Sequence, residues 1–309
     1  LADEWAARYA VLSPQSYNLF VRLAILADVH GNQPALDAVL ADVRESGADQ
    51  LIVNGDLVNR GPDGVAVMET LLASNAQFTL GNHDALMNLW HEHDPEIPDE
   101  WFADPFFDSF TWCADQLDRA GLLGEFPRWP MTLRVELPSA PTVVIAHGTP
   151  DHYREGVGRR MSEARMRELL RASDADVLVG SHTHVPGEWR LPEGVLLNTG
   201  AVGAPFNRDR RAQYLLLTLQ GGAWTPELRF VPYDLSAILR HYDTSGLLAH
   251  GGLSAHIFRE ELPAAYPIYA RFWEWVEREG RPKDWAAWRD FEAGVLPQFG
   301  LKEGLRTEG

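Results

Sequence analysis

Asp28 and His30 stand two residues apart in Asp28-Val-His-Gly-Asn32, directly after the apolar run Val21 to Ala27. A carboxylate and an imidazole at that spacing, carried on an extended chain, would point to one side and suit a shared metal ion. Asp56, Asn82, His147, His182 and His184 add oxygen and imidazole donors, each close behind another apolar run. Mixed oxygen and nitrogen donors favour Mn, Fe, Zn, Co or Ni over Mg and Ca, which prefer oxygen alone. The set exceeds what one tetrahedral ion accepts and matches two ions sharing one carboxylate. An isolated Asp-x-His is most simply a turn, but a whole set of donors, each following an apolar run, argues for a site.

The elements that must position these donors read as alternating strands and helices. Val21 to Ala27, Gln50 to Asn54 and Gln77 to Leu80 are short and apolar enough for buried strands. Between the first two, Pro34 suits a first helical position, and Leu36, Val39, Leu40 and Val43 share one face of a helix from Pro34 to Glu45. A second helix carries Val65, Met68, Leu71 and Leu72. Right-handed crossovers of this kind build a parallel sheet whose loops emerge at one carboxyl edge. Thr142 to Ala146 and Asp176 to Val179 extend the pattern and end in His147-Gly148 and Gly180-Ser-His-Thr-His184. Val195 to Asn198, Gln213 to Leu219 and Glu227 to Val231 read as strands of a second sheet. The expected fold class is α/β: two mainly mixed β-sheets packed as a sandwich flanked by helices, with a helical insertion and a C-terminal helical extension.

This reading divides the chain into an N-terminal extension (1–20), a main domain (21–234) with an aromatic, acidic insertion or cap (85–130), and helices packed on the domain (235–309). The insertion aromatics, Trp90, Trp101, Phe106, Phe107 and Phe110 among them, are first read as a local core and alternatively as a platform for a nucleobase. Tyr266, Tyr269, Phe272, Trp273 and Val276 fall at helical spacing in the tail. At 45% hydrophobic, the 309 residues support a globular core. The 27 Lys and Arg against 44 Asp and Glu, net −17, exclude extended nucleic acid as an expected partner but leave a small phosphorylated substrate open. The lone Cys113 cannot form an intrachain disulfide, and no stretch reads as a secretory signal or membrane span, so a cytoplasmic location is expected. A homodimer is compatible with the sequence and nothing in it argues for one.

The ordered set Asp28-x-His30, Gly55-Asp56-x-x-x-Arg60-Gly61, Gly81-Asn82-His83-Asp84, His147-Gly148 and Gly180-x-His182-x-His184 resembles the calcineurin-like metallophosphoesterase superfamily over about Arg22 to Val231. Asn198-Thr-Gly-Ala-Val-Gly-Ala-Pro205 is most like its small bacterial and archaeal phosphodiesterase branch. The resemblance implies the αββα sandwich and two metals. One would take Asp28, His30 and His184, the other Asn82, His147 and His182, with Asp56 bridging and a water or hydroxide poised for in-line attack on phosphorus. It further implies His83 over the leaving oxygen as acid or electrostatic stabiliser, Arg60 on the phosphate, and Asn32 and Asp84 supporting the ligands. Asn198 could support the site or simply terminate a strand. Asn59 departs from the protein-phosphatase pattern, where an Asp orients the histidine; an amide cannot stabilise an imidazolium as a carboxylate does. That departure favours substrates with good leaving groups or leaving groups protonated by water. The implied activity is phosphodiester or phosphomonoester hydrolysis, with a nucleotide among the possible substrates. The alternatives are a protein phosphatase, against which the acidic insertion argues, and a metal-containing binding or nucleotide-sensing module.

Overall fold

β1 (Val21–Leu26) alternates between two cores: Leu23 and Ile25 face an opposing sheet, while Ala24 and Leu26 face helices. The computed structural model describes residues 20–301, so residues 1–19 of the expected N-terminal extension and the last residues of the C-terminal segment lie outside the described residues. The chain passes from β1 into helix α1 (Gln33–Ser46), where Asn32 Oδ1 accepts from Ala35 N at 3.1 Å and Pro34 occupies the first turn. Left-handed Gly47, φ 67°, ends the helix. Its buried face, Ala35, Leu36, Val39, Leu40 and Val43, contains all four apolar positions expected from the periodicity.

Parallel pairing joins β1 to β2 (Gln50–Asn54), and β2 to β3 (Gln77–Thr79) across helix α2 (Gly64–Leu72). The first sheet runs β10-β9-β1-β2-β3 and the second β4-β5-β6-β8-β7, with β4 Thr132–Val135, β5 Val143–Ala146, β6 Val177–Gly180, β7 Gly187–Leu191, β8 Gly194–Asn198, β9 Ala212–Gln220 and β10 Ala223–Val231. Val143, Ile145, Val177 and Val179 meet Leu23, Ile25 and Ile52 between the sheets. Val144, Leu178 and Leu196 turn outward against α6 (Glu163–Ser173), giving the layered α/β sandwich.

One expected assignment is corrected. The segments expected to form a second sheet after His184 divide between both: β8 pairs parallel with β6, but the hairpin β9–β10 lies antiparallel against β1 in the first sheet. Apolar alternation marks a strand but says nothing about which free edge it joins.

Beyond β3 come α3 (Asn82–His91), α4 (Asp99–Ala103) and α5 (Asp108–Arg119), and beyond β10 come α7 (Leu235–Thr244), α8 (Leu247–Ala264), α9 (Ile268–Glu279) and α10 (Trp285–Gly294). The aromatic residues of the two groups share one core. Trp101 stacks on Phe107 at 4.6 Å, Phe106 on Tyr269 at 5.3 Å, and Phe110 on Phe258 at 6.5 Å. Phe106, Phe107 and Phe110 are buried, but the expected local core of the insertion is corrected: these aromatics belong to a core shared with the C-terminal helices, because neither group alone covers its apolar face. Cys113 is buried in the same core. No helix among the described residues is long and apolar enough to cross a membrane.

Candidate metal centre and active site

The strand-end loops converge on the carboxyl edge of both sheets, but not as extended chain. Asp28 and His30 take left-handed backbone, φ 54° and 48°, so the expected extended Asp-x-His is corrected: two successive reversals, not strand alternation, bring both side chains inward. Asp56, His182 and His184 share this conformation, with φ 57°, 60° and 56°. Each such residue costs about 1–2 kcal/mol and persists only where its surroundings fix it. Here the fixing is backbone pairing between loops: Asp28 N donates to Gly55 O at 3.1 Å, His30 N to Asp56 O at 3.1 Å, and Gly31 N to Leu57 O at 2.9 Å.

Two clusters result, and Asp56 belongs to both. In one, ligand atoms of Asp28, His30, Asp56 and His184 lie within 4.8 Å of one another; in the other, those of Asp56, His147 and His182 do. Asp56 Oδ2 lies 3.2 Å from His147 Nε2 and 3.8 Å from His30 Nε2, and His184 Nε2 lies 3.2 Å from Asp28 Oδ1. Asn82 Oδ1 faces the second cluster, 3.2 Å from His147 Nε2 and 2.8 Å from His182 Nδ1.

Three of the imidazoles are turned by backbone carbonyls. Nδ1 of His30, His147 and His184 meets Val58 O at 3.2 Å, Asn54 O at 2.8 Å and Ala204 O at 2.6 Å. A carbonyl can only accept, so Nδ1 of each ring carries a proton and Nε2 is the atom turned inward toward the clusters. His30 Nε2 and His184 Nε2 then face each other at 3.3 Å, two lone pairs that need a cation between them. Both oxygens of Asp28 and Oδ2 of Asp56 are buried without a hydrogen-bond partner. Such groups are costly to bury unless paired with a cation, so this donor set fits divalent transition-metal ions. Burial opposes protonation of His147, but Asp56 and Asp28 beside it prevail and lift it to about 10. A bound metal must displace that proton, so metal affinity falls as the pH is lowered.

The remaining expected residues surround these clusters. Asp84 accepts backbone N–H groups from Asp56 at 2.7 Å, Leu57 at 2.9 Å and Gly81 at 3.2 Å, pinning the Asp56 loop to the start of α3. Asn32 caps α1 and also donates to Gly203 O at 3.0 Å. Asn198 donates to Val157 O at 2.8 Å and Ser181 O at 2.6 Å, holding the loop that carries His182 and His184. Asn59 Oδ1 accepts from Arg60 N at 2.7 Å, which leaves its amide N–H to donate to His83 Nδ1 at 3.0 Å. His83 therefore holds its proton on Nε2. Burial, followed by the opposing pull of Asp56 and then the Arg60 charge, leaves this ring at about 3, neutral at physiological pH.

Arg60 has another partner. Its guanidinium forms a buried ion pair with Glu261 of α8, 201 residues away, and lies 4.6 Å from the Phe258 ring centroid. Glu261→Gln removes the compensating charge from a buried arginine and is expected to cost about 3 kcal/mol, measured by denaturant unfolding. Sequence reasoning missed Glu261, and no local signal marks it within a helix. It also missed Asn54, whose side chain donates to Ala146 O and Ser181 Oγ, both at 2.8 Å, tying the sheets together behind the metal clusters. Phe206, stacked on His184 at 4.3 Å, was likewise unforeseen. His91 lies 3.7 Å from Asp118 and His93 stacks on Phe102, so neither joins the clusters.

The profile of the calcineurin-like phosphoesterases matches residues 21–186. The chain belongs to this family. It is a hydrolase of the metallophosphoesterase type with a buried Asp/His metal-binding cluster. An uncharacterized protein of Methanocaldococcus jannaschii is 34% identical over 209 residues, 63% of this chain and 81% of that one. The symmetrical bis(5′-nucleosyl)-tetraphosphatase of Chromohalobacter salexigens is 26% identical over 53% of this chain, which spans only 58% of that enzyme. A metallophosphoesterase structure from Sphaerobacter thermophilus aligns with TM-score 0.61 and 25% identity over 80% of this chain and all (100%) of that one. A hypothetical protein from Pyrococcus horikoshii shares the fold, with TM-score 0.62 and 19% identity over 77% of this chain and 97% of its own.

Proposed function

We propose that the protein hydrolyses a phosphodiester or phosphomonoester bond of a small phosphorylated molecule at two divalent transition-metal ions. The observation that carries this reading is Asp56, whose unpartnered Oδ2 stands in both ligand clusters. Asp28, His30 and His184 would hold one ion, Asn82, His147 and His182 the other, and Asp56 both. When bound, the pair supplies the positive charge that makes a water nucleophilic at neutral pH and offsets charge on the phosphoryl oxygens. The named tetraphosphatase activity of a relative supports a nucleotide among the substrates.

The chain's own contribution lies in orientation. His83 N donates to Asp56 Oδ1 at 2.8 Å, so the ligand and the histidine are fixed to one another. With Asn59 occupying Nδ1, the neutral ring offers Nε2–H as a hydrogen-bond donor to an oxygen of the substrate. A ring held near 3 is a poor proton reservoir at neutral pH. Its role is stabilisation of developing charge, and protonation of the leaving oxygen falls to solvent.

This assignment separates donation from acid catalysis. His83→Gln keeps a neutral N–H donor and is expected to lower kcat for bis-p-nitrophenyl phosphate by about a hundredfold or less, without altering the shape of the pH–rate profile. Disappearance of a limb of that profile in the variant would instead make His83 the general acid. Parallel rates on p-nitrophenyl phosphate give the diester-to-monoester preference.

A further inference from the structure

Beside the metal-ligand clusters lies a cavity of about 590 Å³, well beyond the size needed for a phosphate alone. Two of its lining residues belong to the clusters or touch them: His182, whose Nδ1 faces Asn82, and Phe206, which stacks flat on His184. The cavity therefore borders the ligand clusters at His182 and Phe206. Its lining also includes Trp189 on β7, Tyr266 just before α9 and Arg271 within α9, all outside the segment matched by the family profile.

The lining combines two chemistries. Trp189, Phe206 and Tyr266 supply aromatic surface, and the Tyr266 ring is braced by the Arg208 guanidinium 3.9 Å from its centroid. Arg159 and Arg160 supply charge: both are exposed and, among the described residues, neither is engaged in an ion pair. Arg271 pairs with Glu274 at 2.7 Å, yet its Nε is buried without a partner. A cationic, aromatic-lined recess is notable in a chain of net charge −17, whose average surface repels anions. Planar rings with guanidinium groups nearby match a ligand that is both aromatic and polyanionic.

Resting on the hydrolase reading for its role in turnover, we propose that this cavity binds the nucleoside end of a nucleotide phosphoester. The base packs among Trp189, Phe206 and Tyr266, and phosphates beyond the scissile one are met by Arg159 and Arg160. The cavity thereby selects nucleotides over simple phosphoesters, with part of its wall supplied by the C-terminal segment around Tyr266.

Binding tests this independently of turnover. Calorimetry on the full chain, with Mn²⁺ and again with chelator, would compare adenosine 5′-(α,β-methylene)diphosphate with methylenediphosphonate, which carries the same anion without nucleoside. The nucleotide analogue is expected to bind about tenfold more tightly, a preference that Tyr266→Ala and Trp189→Ala each reduce severalfold. The double variant Arg159→Gln/Arg160→Gln, altered only at exposed positions, is expected to weaken the analogue by about fivefold or more at low salt and less at high salt. Equal affinity for the two probes in the unaltered protein, or unchanged affinity in all three variants, overturns the proposal. Failure of hydrolysis with the nucleotide preference intact would instead count against the hydrolase reading alone.

Discussion

Asp56→Asn is expected to abolish metal-dependent phosphoester hydrolysis, lowering kcat by about a thousandfold or more, while leaving a folded chain. The substitution is nearly isosteric, and the Asn side chain still offers an oxygen to His83 N, as Asp56 Oδ1 does at 2.8 Å. The amide nitrogen then replaces Oδ2, the atom that stands 3.2 Å from His147 Nε2 and 3.8 Å from His30 Nε2. A donor there cannot ligate and faces inward-pointing lone pairs, so the shared ligand of both clusters is lost. Calorimetric melting supplies a second readout. A metal at about a hundred times its dissociation constant stabilises a protein by roughly 2.7 kcal/mol, and the variant should lose most of that rise. Melting that still responds fully to metal would remove Asp56 from the centre.

Gly81→Ala should be nearly as damaging, though Gly81 is neither donor nor acceptor through a side chain. Its backbone, φ −91° and ψ 163°, suits alanine, so conformational strain is not the reason. An added Cβ would collide with Asp56 N and Asp56 Oδ1 and would come within 2.9 Å of Asp84 Oδ2. Those atoms form the junction that fixes the carboxylate common to both ligand clusters, and they are too well packed to yield. A destabilisation of about 1–3 kcal/mol is expected, together with loss of metal binding measured by elemental analysis. Gly124→Ala, whose added methyl meets nothing within 4 Å, is the matched control and should change stability by less than about 0.5 kcal/mol.

The sequence made much of this centre legible because its donors follow strands whose apolar character is unmistakable. β2, Gln50–Asn54, is buried at four of five positions and has the bounds that its composition suggests. Two of the edge strands, β7 and β4, were illegible for the opposite reason. β7 alternates half-buried with exposed residues, and β4 pairs on one side only, so neither presents an apolar run. The left-handed turns at Asp28 and His30 left no mark either, because the bonds that enforce them come from the Asp56 loop. Glu261 illustrates the general limit. Its pairing with Arg60 depends on how α8 docks, and a glutamate within a helix carries no trace of a partner 201 residues away.

The central claim, that these donors hold two metals which together support phosphoester hydrolysis, has one direct test. The chelated protein would be titrated with Mn²⁺ while bound metal per chain and hydrolysis of bis-p-nitrophenyl phosphate are followed in the same samples. Activity absent from the chelated protein and rising as about two equivalents bind is the result expected from a carboxylate shared between two clusters. A chain that binds two equivalents and still hydrolyses neither this diester nor p-nitrophenyl phosphate would contradict it.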